Sequence, residues 1–152
     1  MSRFLLDVMC GGLTTYLRFC GHDTVYALDR GEEDDDRLRA IAAEEGRTLV
    51  TRDVHLANRA DEAILLRRRD TEAQLAELLE AGVSLHPTEE PEYCGRCNGP
   101  VERVPPETTT PEYAPDDDTP TWRCLDCGQC FWRGSHWDRM RETLERVRAA
   151  QG

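Results

Sequence analysis

The sequence predicts an α/β fold: a parallel sheet between two helical layers, followed by a small cysteine-rich module. Three observations carry this. Short apolar runs alternate with helix-period segments over residues 1–86, as expected for a parallel sheet covered on both faces. The Pro- and Glu-containing stretch HPTEEPEY (86–93) then changes the composition, as a linker does. Two CxxC pairs follow within residues 87–152, along with a final helical pattern.

RFLLDV (3–8) reads as the first strand. Leu13, Tyr16, Leu17 and Cys20 then recur at helical spacing, and Gly21 stops the helix. TVYAL (24–28) is the second strand, and Asp34 to Glu45 a helix with Leu38, Ile41 and Ala42 on one face and Gly46 at its end. TLVT (48–51) and AILLR (63–67) are the third and fourth strands. Asp70 or Thr71 caps a helix carrying Leu75, Leu78 and Leu79, which ends at Gly82. Ser135 and Asp138 have the spacing of an S-x-x-D cap. The stripe Trp137, Met140, Leu144 and Val147 reads as core packing.

The charge is strongly acidic. Thirty Asp and Glu face 19 basic residues, all of them Arg, for a net charge of −11. Residues 1–86 and 87–152 carry −6 and −5, so neither half is a basic module. Taken at face value, this balance repels phosphate and argues against nucleic-acid binding. Dense carboxylates without Lys also suit a halophilic chain in concentrated salt, where screening lengths fall to about 3 Å at 1 M. That second reading is favoured here, and it makes local Arg placement more informative than net charge. No run approaches the roughly 18 apolar residues of a membrane span. FLLDVMC is too short for a signal segment and contains Asp7. A cytoplasmic location is expected, where seven cysteines imply metal binding or burial before disulfides.

Cys94-x-x-Cys97 and Cys124-x-x-Cys127 form the strongest local signal. Two residues between thiolates let each pair grip one side of a tetrahedral ion at about 2.3 Å, and four sulfurs leave no open position. The expected cofactor is structural zinc, with Gly95, Gly99 and Gly128 supplying tight backbone. The 26-residue spacer adds little closure cost. Cys130, in CLDCGQC, is an alternative ligand, while Cys10 and Cys20 read as buried or helix-face thiols. Thiol redox chemistry is the competing reading of a CxxC, but it needs one pair and there are two.

Ligands of parallel sheets gather beyond the carboxyl ends of the strands. Asp7 ends the first strand, Asp53 follows the third, and Asp34, Asp35 and Asp36 open the helix after the second. Converging carboxylates suit Mg²⁺ or Mn²⁺, with Arg52 available for phosphate or ion pairing. The alternative remains open: Asp53 as a helix cap and the triple Asp as a solvated helix start. Asp7 is harder to explain without a partner. The four His lie in separate segments, and no nucleophile motif is present.

These stretches together resemble a known family. DVMCGGLTTYLRFCGHDT, DDDRLRAIAAEEGRTLVTRD, the paired CxxC and FWRGSHWDRM look like the Mut-seven C-terminal RNase domain. The similarity covers nearly the whole chain outside residues 100–121, and GRTLVTRD and the CGxxxWRGSHW pattern are its most specific parts. It implies a PIN-like three-layer α/β/α sandwich followed by a zinc ribbon, a divalent-metal site, and RNA as substrate. Asp7 takes the place of the first-strand acid, Asp53 that of the TRD acid, and Asp35 that of the helix acid, ahead of Asp36 and Asp34. Arg18 and Arg52 match basic positions near the site, and Cys94, Cys97, Cys124 and Cys127 match the zinc ligands. Two positions depart: Gly12 stands where the family has a basic residue, and Cys130 where it has an apolar one.

The resulting expectation is an RNase holding Mg or Mn on Asp7, Asp35 and Asp53, with Arg18 and Arg52 on the phosphate. Arg133, Arg139 and Arg141 near Trp132 and Trp137 would help the ribbon seat RNA. The alternative is a non-catalytic module that binds RNA or protein through its ribbon.

Overall fold

β1 (Arg3–Leu6) is paired on both sides, by β2 (Asp23–Tyr26) and β3 (Thr48–Thr51), and β4 (Ala63–Leu65) completes the parallel order β2-β1-β3-β4. The computed structural model describes residues 2–105, 109–115 and 119–151. Successive side chains of β1 point to opposite faces, and the core divides accordingly. Phe4 and Leu6 pack with Leu13, Leu17, Leu75 and Leu78, while Leu5 packs with Leu38, Ile41, Leu49 and Leu56. Helices α1 (Thr14–Phe19) and α4 (Thr71–Glu80) therefore cover one face, and α2 (Asp35–Glu45) and α3 (Val54–Arg59) the other. This is the expected α/β/α layering.

Three strands stop earlier than the apolar runs suggest, β4 at Leu65 instead of Arg67. β1 ends at Leu6 because Asp7 turns the chain, its Oδ1 accepting the Val8 N–H at 2.7 Å to start a 3-10 turn over Val8–Leu13. β2 ends at Tyr26, whose partner in the ladder is Leu6, and Ala27–Arg30 form a second 3-10 turn. Asp34 and Asp70 cap α2 and α4 as their side chains predict, and Gly46 adopts the left-handed turn after α2.

The segment after the linker forms a separate antiparallel sheet of β5 (Val101–Arg103), β6 (Thr121–Cys124) and β7 (Cys130–Trp132). The final helix, α5 (Ser135–Gln151), then returns to the first 86 residues. Its Leu144 and Val147 join the core beneath α1 and α4, with Trp137 and Met140 buried further along the stripe. The expected S-x-x-D cap does not form as read. Ser135 is already helical, and the Asp138 N–H bonds the Gly134 carbonyl. Among the described residues no helix is long and apolar enough to cross a membrane.

One buried cation locks the amino-terminal edge of the sheet. The Arg47 side chain is 5 % exposed and donates to Asp23 Oδ1, Glu45 Oε1 and the carbonyls of Phe4 and Asp23. Arg47→Met should cost about 3 kcal/mol, because two acids lose their buried partner, and denaturant titration measures it. Arg30 and, less strongly, Arg47 hold the Glu45 carboxyl down from 4.5 to about 2. A depressed folded-state value means the stabilisation is complete above pH 4.5 and is lost as pH falls toward 2. The variant should show a shallower loss across that window.

Candidate functional site

The carboxyl edge of the sheet, between β1 and β3, is where the strand order changes direction, the usual place for a ligand crevice. Asp7 sits there, only 6 % exposed. Its Oδ2 accepts the Thr51 hydroxyl at 2.7 Å, and Thr51 Oγ1 in turn accepts the Asp53 backbone N–H at 3.0 Å. One hydroxyl thus fastens the end of β1 to the start of α3. Thr51 escaped the sequence reading because a β-branched residue ending a strand is unremarkable until its partner is known.

Asp53 combines both roles considered for it at the level of single atoms. Its Oδ1 caps α3 by accepting the His55 and Leu56 N–H groups at 2.9 and 3.2 Å, whereas Oδ2 has no donor among the described residues. The three acids opening α2 also separate. Asp34 caps the helix and Asp36 pairs with Arg39 and Arg59, while the Asp35 carboxylate has no partner among the described residues. The structure links Asp7 to Asp53 through Thr51; no such bond joins Asp35 to them. Nor do the three acids form a closed ligand cluster with oxygens within 4.8 Å of one another.

Arg52 lies beside this pair with its Nε buried and without an acceptor. Such an orphaned donor costs roughly 1–3 kcal/mol. The neighbouring Cys10 thiol is pushed up to about 12, first by burial and then by Asp7, with Arg52 opposing and Glu77 adding. Those four groups therefore share one electrostatic environment, and Cys10 is an unreactive core thiol. Arg18 is placed differently. It is 3 % exposed, and it donates to the Thr24 and Gly95 carbonyls at 3.0 Å each, tying α1 to β2 and to the first cysteine knuckle. At Gly12 a Cβ would run into the Thr71 side chain, so Thr71 occupies the room a larger residue needs.

Further groups at this edge carried no functional weight in the sequence. Arg67, Arg68 and Arg69 follow β4, all exposed and without an ion pair among the described residues. Glu77 accepts the Arg67 and Arg68 backbone N–H groups at 2.8 and 2.7 Å, and Gln74 donates to the Arg68 carbonyl at 2.9 Å, so the backbone beneath the guanidinium groups is pinned. Met9, Leu28 and Val54, exposed by about half, stand just after β1, β2 and β3.

Away from that edge, Cys94, Cys97, Cys124 and Cys127 gather with all four sulfurs within 4.8 Å. Sulfur separations are 3.6 Å for Cys94–Cys127 and 3.5 Å for Cys97–Cys124. Four thiolates placed about 2.3 Å from one tetrahedral ion would lie about 3.8 Å apart, so the cluster is compatible with zinc. N–H groups of Arg96 and Asp126 point at Cys94 and Cys124 sulfurs from 3.3 Å, repeating one knuckle geometry twice. The left-handed turn after each pair is made by Asn98 (φ 69°) and Gly128 (φ 79°), so Gly95 and Gly99 do not serve that purpose. Asn98 tolerates the turn while its side chain bonds Asp23 and the Thr24 N–H. Cys130 lies outside the cluster, its sulfur directed to the Gly128 carbonyl.

No curated protein and no solved structure matches the chain. The family model for the Mut7-C RNAse domain matches residues 2–144, nearly its whole length. With the parallel sheet, the acidic switch point and the four-cysteine cluster in place, the chain belongs to the Mut7-C RNAse domain family.

Proposed function

We propose that the protein is a PIN-like, divalent-metal-dependent ribonuclease in which Asp7, Asp35 and Asp53 hold Mg²⁺ or Mn²⁺ at the carboxyl edge. The observation carrying this reading is the hydrogen-bonded link from buried Asp7 through Thr51 to Asp53 at the carboxyl edge. Arg52, next to Asp53 in the chain, has no ion pair among the described residues, which leaves its guanidinium available to a phosphate. The donor chemistry suits a hard cation: among the described residues, Asp53 Oδ2 and Asp35 have no partner and Asp7 has no ion pair. Asp7, Asp35 and Asp53 would hold the divalent ion, which when bound would supply an acidified water and offset charge on the phosphoryl group.

The residues divide the work. Water attacks phosphorus, the bond to the leaving ribose oxygen breaks, and the proton of the water ends on that oxygen. Asp7 and Asp53, aligned through Thr51, set where a cation sits relative to the phosphate. Arg52 neutralises the charge that builds on the non-bridging oxygens. Arg67, Arg68 and Arg69 offer the flanking phosphates a track in an otherwise acidic protein, and Met9, Leu28 and Val54 offer bases an apolar floor. Arg18 serves as a positioning residue that holds α1 and the first knuckle together. The four cysteines hold structural zinc.

The test is cleavage of single-stranded RNA with Mg²⁺ or Mn²⁺, in dilute buffer and in molar KCl, since the acidic surface suits a halophilic, cytoplasmic chain. Metal-dependent cleavage is expected, with Arg68→Glu/Arg69→Glu raising KM about tenfold or more and leaving the melting temperature unchanged. Absence of cleavage in every condition overturns the enzyme reading. That outcome would favour the non-catalytic binding module.

A further inference from the structure

A cavity of about 420 Å³ opens where α1, the first cysteine knuckle, β7 and the start of α5 meet. Its size falls within the roughly 300–1,000 Å³ of small-ligand sites. None of its lining residues is Asp or Glu, although the chain carries 30 acids. The walls are aromatic, with Phe19, Phe131, Trp132 and Trp137 prominent, and Arg18 and Arg96 supply positive charge. Phe19 and Trp137 meet edge to face at 4.5 Å, which holds one wall in place. At Gly134 a Cβ would come within 2.7 Å of the Trp132 indole nitrogen, so that glycine makes room for the Trp132 ring.

Two of the three expected ribbon cations, Arg133 and Arg141, are engaged otherwise. Arg133 lies over the Trp122 and Trp137 rings and donates to the Glu89 carbonyl, and Arg141 pairs with Glu145. Arg96 is exposed, and among the described residues its side chain has one bond, to the Gln129 side chain at 3.3 Å. Aromatic faces accept any planar base, and an acid-free cavity in an acidic chain selects an anion.

We propose that this cavity seats one unpaired nucleotide of the RNA, its base against the aromatic wall and its phosphate toward Arg96. The proposal rests on RNA being the substrate and adds a subsite on the far side of α1. Helix α1 links the carboxyl end of β1 to the amino end of β2, so it runs from the acidic edge back past the cavity. A strand following α1 would reach both.

The probe is adenosine 5′-monophosphate, titrated without divalent ions into the zinc-loaded full chain while the indole N–H resonances of the three tryptophans are followed. Saturable shifts at Trp132 and Trp137 are expected, with none from inorganic phosphate alone. Arg96→Ala, a surface change, should weaken binding about tenfold, and Asp53→Asn, which keeps its cap, should leave nucleotide binding here unchanged. Unshifted indoles, unaltered affinity in Arg96→Ala, or binding that disappears in Asp53→Asn overturns the subsite. Because no cleavage is read, RNA cleavage with silent indoles defeats the subsite alone. Nucleotide binding without any cleavage defeats the nuclease reading alone.

Discussion

Asp53→Asn is expected to abolish RNA cleavage while leaving the fold as stable as the parent or more so. An Asn carbonyl at this position still accepts the His55 and Leu56 N–H groups that Asp53 Oδ1 accepts now, so the cap on α3 survives. What changes is Oδ2, the atom with no donor among the described residues, and one negative charge beside buried Asp7. Removing that charge relieves repulsion in the metal-free protein and weakens divalent-ion binding. Activity should fall by several orders of magnitude, because in the proposed mechanism a divalent ion held here would serve both nucleophile and leaving group.

Asp7→Asn should match that loss, with an added cost to stability. Its Oδ1 and Oδ2 both accept hydrogen bonds, from the Val8 N–H and the Thr51 hydroxyl, and an amide can accept at only one of those places. The double variant should be little worse than either single one, since the acids act as a unit. Thr51→Val should lie between, keeping both acids but losing the bond that aligns them. Isothermal titration with Mn²⁺, single-turnover cleavage and thermal melting read these effects separately. Retention of full cleavage by Asp53→Asn would return that residue to the role of a helix cap.

The second large effect belongs to the cysteine cluster. Cys124→Ser, or a strong chelator, should release one metal ion per chain and unfold residues 94–130 well before the parallel sheet. Metal binding to such sites is folding free energy, on the order of 10 kcal/mol in small zinc modules, and the small sheet has few buried side chains besides the sulfurs and Trp122. The damage should also spread. Asn98 bonds Asp23 and the Thr24 N–H at the β2 edge, and Arg18 holds the Gly95 carbonyl, so losing the knuckle strips partners from both. Hydrogen exchange should rise first over the knuckles, then along β2. Cys130→Ser should leave metal content intact, since that sulfur lies outside the cluster. Metal-free protein with an ordered ribbon would defeat this account.

Much of this was legible beforehand, because local patterns and tertiary needs coincided. Apolar runs of four or five residues between helix-period segments had no stable home except a covered parallel sheet, and Asp34, Asp53 and Asp70 announced helix starts through short side chains that accept N–H bonds. The CxxC pairs announced the cluster because ligand spacing along the chain is set by ion geometry. The departures arose where the next residue's partner lay far away. Asp7 cut short the first strand and Tyr26 ended the second, since a strand continues only as far as its neighbour does.

By itself, then, the sequence determined the parallel-sheet elements, their order and which four cysteines would cluster. Tertiary structure alone decided how the polar side chains are used. It set Thr51 between Asp7 and Asp53, left Arg52 Nε without an acceptor, and committed Arg18 to two carbonyls. It also returned α5 to the core of the first 86 residues and walled a cavity with aromatics from segments over 100 positions apart. The reason is physical: periodicity and ligand spacing act over a few residues, whereas burial and hydrogen-bond satisfaction are settled among groups that meet only once the chain has folded.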